Sequence, residues 1–584
     1  MADMINVKIN GIAVSVPKGT TVLEAAHQAG VDIPTFCYMK EINEIGACRI
    51  CMVEINEGRG FRMVASCVYP LNFDNSEVRT NSPKVLDSRK KTLELILSTH
   101  DKKCLSCVRS GNCELQSLCN EMGIEDENTY AGEKPEYEID NSAVHMYRDN
   151  NKCILCRRCT AVCSKWQGIG VIGANERGFK TNIGSAFEMG LGSTSCVSCG
   201  QCIAVCPVGA LSEKDFTNQV FAAIADETKT VIVQTAPAVR AALGEEFGYE
   251  IGTNVEGKMA AALRRLGFDK VFDTDWAADL TIMEEATEFV DRFTNGGVLP
   301  LITSCSPGWV KYCEHYFPNM TENLSSCKSP HQMQGAVIKT YLAEKMGLDP
   351  KNIVVVSIMP CTAKKFECQR DNEAAAGVPD VDYVLTTREL ARMIKRAGLK
   401  FTALPDEDFD NPLGLSSGAG DIFGVTGGVM EAALRTAYCW LSGKNEEVVE
   451  FHEVRGTDGI KRSTVNINGT EIKVAVASGL ANAKELLTRV QNGEEKVDFI
   501  EIMGCPGGCV NGGGQPQQPA SVRLFTDLRS ERAKALYSED AAKTLRLSHL
   551  NKDVQALYDE YLEKPGSHKA HELLHTTYVK RTIN

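Results

Sequence analysis

The 584-residue sequence lacks an excess of positive charge: 63 Lys and Arg face 76 Asp and Glu, a net of −13. A general nucleic-acid binder needs a basic footprint, so that class is set aside. No run of 18 or more apolar residues occurs, which argues against a membrane-spanning helix. The opening MADMINVKINGIAVSV has neither the basic start nor the apolar block of a secretory signal, and twin arginines are missing too. There is no G-x-x-x-x-G-K-[ST], and no G-x-G-x-x-G after a strand, so no obvious nucleotide cradle is present. An apolar content of 43% is ordinary for a globular chain and far from disorder. The length fits about three to five domains. Together these absences predict a cytoplasmic, globular, multidomain protein.

What the sequence does have is cysteine, 24 of them. Stable disulfides are rare in the cytosol, so correctly spaced thiols read as metal ligands. Sixteen lie between Cys37 and Cys206, and the next is Cys305. Residues 1–80 open with a strand, an Asn-Gly turn and a strand, then a helix over TTVLEAAHQAG. Cys37, Cys48, Cys51 and Cys67 follow. This order resembles a plant-type ferredoxin carrying [2Fe–2S], with a first gap longer than the usual spacing; four thiolates on zinc are the alternative. In 81–140, a helix over SRKKTLELILSTH runs into His100, followed by Cys104, Cys107 and Cys113. That donor set suits zinc or a [4Fe–4S] cubane.

Residues 141–215 carry the strongest signal. Cys153, Cys156, Cys159 and Cys163 form C-x2-C-x2-C-x3-C, and Cys196, Cys199, Cys202 and Cys206 repeat it with a period of 43, followed by Pro207. This is the bacterial two-cluster ferredoxin run, in which the fourth cysteine ligates the other cluster. Cys153, Cys156, Cys159 and Cys206 are assigned to one cubane; Cys163, Cys196, Cys199 and Cys202 to the other. Four clusters in a row make a wire toward the back of the chain.

Residues 216–520 alternate strand-like and helix-like segments. TVIVQ, IVVVSI and FIEIM are continuous apolar runs, as expected for parallel strands covered on both faces. Three strand-like segments end in Cys305, Cys361 and Cys505. Ligands bind beyond the carboxyl ends of strands in open α/β sheets, so these thiols are expected to converge, with Cys509 nearby on a glycine-rich loop. VRAALGEEFG and TTRELARMIKRAG read as helices.

Three segments then carry a resemblance: TSCSPGW at 303–309, MPCTAKKFE at 359–367 and EIMGCPGGCVNGGGQP at 501–516. They resemble the [FeFe]-hydrogenases, and the cysteine-rich front resembles the large multi-cluster members of that family. The resemblance implies an α/β catalytic domain behind ferredoxin-like α+β domains, with residues 521–584 as a small-subunit-like tail. It implies reversible conversion of two protons and two electrons to H2 at an H-cluster, a cubane bridged by cysteine to a two-iron CO/CN dithiolate unit. The implied cofactors are one [2Fe–2S], three [4Fe–4S] and the H-cluster. Cys361, Cys505 and Cys509 match cubane ligands, with Cys509 in the bridging position. Lys364 matches the lysine that hydrogen-bonds a cyanide. Met359, Met503, Ala236 and Pro237 match surroundings of the two-iron unit, and His331 stands where the family often has Gln.

The resemblance also implies a proton route through Cys305, Glu285, Ser325 and Glu288, with Arg292 at its exit. On spacing alone the two glutamates would read as a solvated helix face. One departure from the pattern is Ser306, where the family usually has a second cysteine. Either Cys305 ligates the cubane and Ser306 joins the proton route, or Cys305 keeps the proton role and an oxygen faces the cubane. The first is expected, because thiolate is the better cubane ligand. Cys119, Cys313, Cys327, Cys368 and Cys439 have no assigned role and are expected to be structural.

Without a nucleotide motif, any NAD(P) or flavin chemistry must sit on partner subunits. The TSCSPGW form looks most like catalytic subunits of multimeric electron-bifurcating hydrogenases, with ferredoxin and maturation proteins as further partners. A monomeric ferredoxin-linked hydrogenase, a sensory relative and a non-catalytic iron–sulfur assembly protein are the alternatives.

Overall fold

The computed structural model describes residues 3–444, 448–457 and 459–583. Asn10 and Gly11 have φ of +50° and +87°, as a two-residue hairpin turn requires. They join Met4–Ile9 to Ile12–Pro17 in a five-stranded sheet of spatial order Ile12–Pro17, Met4–Ile9, Glu77–Arg79, Met52–Asn56, Phe61–Ala65. The helix Val22–Gln28 packs its apolar residues on this sheet and starts at a reciprocal cap between Thr21 and Glu24. The next helix, Pro83–Thr99, starts five residues before the expected SRKKT segment. Ser82 caps it and Pro83 takes the first turn, where a missing N–H costs nothing.

Residues 100–215 hold little regular structure; their strands and most helices are three to five residues long. Met146–Arg148 pairs antiparallel with Leu211–Glu213, which draws the two ends of the cysteine repeat together. The repeat is also a repeat of backbone. Leu155 and Arg157 have φ of +53° and +60°, and their counterparts Ser198 and Gly200 have +62° and +71°. Non-glycine residues rarely adopt this conformation. Here it turns amide groups toward sulfur, as where Leu155 N–H donates to Cys153 Sγ at 3.4 Å. Gly200 has a separate steric reason: a Cβ there would stand 2.3 Å from Thr362 Oγ1.

In the back of the chain the expected parallel strands fall, among the described residues, into two four-stranded sheets. The first runs Lys270–Asp273, Thr230–Thr235, Ile353–Met359, Tyr383–Thr386, all parallel. The second runs Leu301–Ile302, Phe499–Met503, Thr470–Ser478, Ile460–Ile467, its last pair an antiparallel hairpin. The 22-residue helix Thr274–Asn295 contributes Leu280 and Met283 to the core of the first sheet and Ile282 and Phe289 to that of the second. TTRELARMIKRAG is a helix over Thr387–Arg396. VRAALGEEFG is not one helix. It breaks into Pro237–Arg240 and a tighter turn over Leu243–Phe247. At the break Arg240 is fully buried among carboxylates, donating to Asp273 at 2.6 Å and Glu539 at 2.9 Å, with Glu256 also bonded.

The tail supplies the helices Leu528–Ala542, Lys552–Leu557 and His568–Leu574. It then crosses the 325–328 loop in extended form, with Lys328 N–H donating to Leu574 O at 2.8 Å and Thr576 N–H to Ser326 O at 2.7 Å. Among the described residues no helix is long and apolar enough to cross a membrane.

Candidate active site and cluster cages

The thiols of the front portion gather into sets. Cys51 and Cys67 sulfurs lie 3.3 Å apart, and Cys37 bonds both Cys48 and Cys67, which hold its thiol well below the usual range. All four are thus in one place, in the loops beside the five-stranded sheet. Cys153, Cys156, Cys159 and Cys206 line one cavity whose walls include Ile154, Ile183, Val208 and Leu211. Cys163, Cys196, Cys199 and Cys202 line a second, walled by Met146, Val162, Ile169 and Ile172. The fourth thiol of each run faces the other run's cavity. Burial pushes these thiols up, Cys153 and Cys156 to about 12. A cluster's positive iron offsets that cost by holding the deprotonated form.

Cys113 lies in the field of Cys107, and Cys119 in the fields of Cys113 and Cys104. His100 shares Lys152 as a neighbour with Cys107. Burial brings the His100 imidazole down to about 4, and its Nδ1 is buried without a partner. A neutral imidazole with a free lone pair is the form that binds a metal. Among the described residues no three His, Cys, Asp or Glu are placed to hold a single metal ion.

In the catalytic portion the two sheets deliver thiols to a common place. Cys361 follows Met359 of the first sheet; Cys505 follows Met503 of the second. Cys361 and Cys509 both act on Cys505, and Cys361 acts on Cys509. Burial is the largest influence on each, yet all three keep some accessible surface. Among the buried polar atoms left without a partner are both amide atoms of Gln332 and Glu285 Oε2. Native interiors rarely leave such groups unpaired unless something else meets them.

Cys305 and Ser306 point to different neighbours. Burial, Glu285 and Cys509 push the Cys305 thiol up, against Lys364. The Ser306 hydroxyl accepts from Gly504 N–H at 3.1 Å, one residue before Cys505. Cys305 thus stands between Glu285 and Cys509, while the Ser306 hydroxyl lies beside the strand end that carries Cys505. Lys364 Nζ donates to Cys305 O at 3.2 Å and to Glu367 at 2.8 Å. His331 Nε2 meets the same carboxylate at 2.5 Å, and its Nδ1 meets Ser357 Oγ at 3.2 Å. Against burial, Lys364 and His331 hold Glu367 at about 2, while burial and Lys364 bring His331 down to about 4. Met359, Met503 and Ala236 are buried, and Ala236 N–H donates to Ile358 O at 3.0 Å, fixing the turn into Pro237.

The glutamates are not a solvated face. Glu285 is 1% exposed, and burial, then Glu288, raise its carboxyl to about 8 while a bond from Ser325 works downward. Ser325 Oγ donates to Glu288 Oε2 at 2.8 Å, and Arg292 donates to Glu288 at 2.6 Å. Glu285, Ser325, Glu288 and Arg292 therefore form one line leading away from Cys305. Sequence reasoning missed Glu367, although it stands three residues after Lys364. It also missed Gln332 and Glu501; the latter is buried and accepts from Gly427 and Met430 N–H.

Models of known families match nearly all of the chain. Residues 229–513 match the iron only hydrogenase large subunit, C-terminal domain, and 526–581 the iron hydrogenase small subunit. Residues 2–83 match a 2Fe-2S iron-sulfur cluster binding domain. The NADH-ubiquinone oxidoreductase-G iron-sulfur binding region matches 89–128, and a 4Fe-4S dicluster domain matches 152–210. The NADP-reducing hydrogenase subunit HndD of Solidesulfovibrio fructosivorans is 51% identical over 99% of both chains. Iron hydrogenase 1 of Clostridium pasteurianum is 43% identical over 98% of this chain and 99% of its own. A solved apo form of the [FeFe]-hydrogenase HydA1 from Chlamydomonas reinhardtii, carrying a single substitution, matches with a TM-score of 0.57 at 44% identity, covering 63% of this chain and all of that one.

Proposed function

From the premise that the chain belongs to the iron-only hydrogenase family, we propose how its residues divide the work and what it works with. Its catalytic domain is that of an iron-only hydrogenase, preceded by 2Fe-2S and 4Fe-4S domains. Our reading gives it one [2Fe–2S], on Cys37, Cys48, Cys51 and Cys67. Three [4Fe–4S] clusters follow, one on His100, Cys104, Cys107 and Cys113 and two on the crossed ferredoxin sets. Cys361, Cys505 and Cys509 hold the cubane of the H-cluster. When bound, that cofactor supplies the redox chemistry that interconverts protons and H2. The residues supply position and protons. Lys364, fixed by Glu367, presents a cation to an anionic ligand, a charge-assisted bond. Met359, Met503 and Ala236 exclude water. Cys305 exchanges a proton with Glu285, which passes it through Ser325 to Glu288.

The observation that carries this reading is the line Glu285–Ser325–Glu288, buried at Glu285 and Ser325 and half-buried at Glu288, ending at Cys305, with the trio Cys361, Cys505 and Cys509 beside it. A carboxyl held protonated near neutrality can both give and take a proton there. The first test is the infrared spectrum in the CO/CN stretching region of protein co-produced with maturation proteins, alongside H2 uptake. Bands with uptake support the reading; intact cubanes without bands overturn it.

We further infer a cytoplasmic catalytic subunit of a hetero-oligomer, with partner subunits binding flavin and NAD(P), and ferredoxin as a second acceptor. Support comes from the similarity over the full length to a subunit named NADP-reducing and from the missing nucleotide motif in this chain. The native assembly should reduce NAD(P) with H2 only when ferredoxin is also present. Reduction of NAD(P) by H2 without ferredoxin would reject bifurcation.

A further inference from the structure

The line of glutamates has no titratable way out at Arg292. A guanidinium stays protonated and only donates. Arg292 is moreover committed to Glu288 and to the carbonyls of Glu322 and Leu324. Glu288 has another neighbour. Ser326 Oγ donates to Glu288 Oε1 at 3.2 Å and meets His575 Nδ1 at 2.8 Å. His575 comes from the tail, held there because Thr576 and Lys328 pair the two backbones. Its Nε2 lies 3.1 Å from Glu284 Oε2. Glu284 is buried and also accepts from Tyr558 OH at 2.6 Å and from Gly566 N–H at 2.9 Å.

Ser326 has one hydrogen; when it points to Glu288, His575 Nδ1 carries the hydrogen between them and Nε2 faces the Glu284 carboxyl. The His575 side chain is 7% exposed, and its ring centroid is 4.0 Å from that of His571, an exposed residue on the helix His568–Leu574.

We propose that His575 is a proton-relay residue of this hydrogenase, joining the Glu285–Ser325–Glu288 line to the surface through Ser326. The reading rests on the proton route proposed above. One proton arrives at His575 Nε2. The Nδ1–H bond breaks as a Ser326 O–H bond forms, while Ser326's former hydrogen bonds to Glu288. One proton enters, one leaves, and no electron moves. The same steps run backward during H2 oxidation. The groups facing His575 are Glu284 and Glu288 from the long helix, Ser326 from the loop and His571 from the tail. Tyr558 reaches it through Glu284, and Glu373 lies beyond Thr576.

The test uses the full chain. With the two-iron unit loaded, His575→Gln keeps a hydrogen-bonding side chain but carries no relayed proton. H2 evolution should fall about 5-fold or more, increasingly so as pH rises, and added imidazole should restore it. Ser326→Ala should produce the same pH profile without replacing any tail residue, which covers the case in which His575→Gln fails to fold. Without the two-iron unit, [13Cε1]-histidine NMR should show the His575 ring signal shifted from its wild-type position in both Ser326→Ala and Glu284→Gln, each of which removes one of its ring partners. Wild-type pH profiles in both variants, or a His575 signal that does not move, overturn the relay. Glu285→Gln separates the two readings: if it keeps full turnover, the route itself is wrong; if it loses turnover while Ser326→Ala does not, only the branch is wrong.

Discussion

Glu285 shows how far a single residue's identity falls short of its role. TIMEEATEFVDR reads as a helix with a charged face, and the helix is there, but that face is covered. Nothing local announces it, because the residues that bury Glu285 and bond Ser325 come from strands and loops dozens of positions away. Its neighbour Glu284 went unread for the same reason, its partners Tyr558 and His575 lying more than 270 positions along the chain. Its pKa of about 8 against an ordinary 4.5 gives two expectations for Glu285. Glu285→Gln should lose about 10²- to 10⁴-fold in H2 turnover while keeping its iron content and visible spectrum. Stability should respond as well. Between about pH 4.5 and 8 the folded chain holds a proton on Glu285 that the unfolded chain releases. That contribution is complete at the acid end and disappears as pH rises through 8. Thermal scans of the two-iron-free protein should show a shallower fall over that window in Glu285→Gln than in wild type.

At the scale of elements, the apolar runs TVIVQ, IVVVSI and FIEIM were legible as strands because continuous burial leaves a continuous apolar string. Their division between two sheets was not legible, since each run is equally apolar in either. The short helix Pro237–Arg240 was misjudged as the start of a longer one because helix propensity carries no information about Asp273, Asp275, Glu256 and Glu539 closing on Arg240. That cluster fixes the turn carrying Ala236 and Pro237 against the first sheet. Arg240→Met leaves several buried carboxylates without their cation and should cost about 3–5 kcal/mol. Arg240→Lys should recover only part, because one ammonium cannot span the same spread of carboxylates. Unfolding midpoints in denaturant, followed by catalytic-domain tryptophan fluorescence, measure the difference.

Across the whole molecule the two halves are built on different principles. The catalytic portion has two sheets and continuous apolar cores. The stretch from His100 to Asp215 has short pieces arranged around sulfur-lined cavities, and the cysteine spacing that encodes those cavities was readable because it is a local, repeated pattern. Such a stretch depends on its metal for its fold. Removing iron with a chelator under reducing conditions should open residues 100–215 to limited proteolysis and leave a resistant fragment covering 229–513. Equal resistance of both portions would show that the cages are shaped by the chain alone.

The two portions meet where Gly513 lies against the backbone of Cys199 and Gly200, so close that a Cβ on Gly513 would stand 2.3 Å from Cys199 O. Cys199 belongs to the last ferredoxin cage and Gly513 to the loop that carries Cys509. If the clusters sit as proposed, the absence of a side chain there sets the gap that an electron must cross. Gly513→Ala would leave donor and acceptor chemically intact and push them apart. H2 oxidation with an artificial dye that takes electrons at the catalytic domain would survive, while reduction of acceptors reached through the front of the chain would slow.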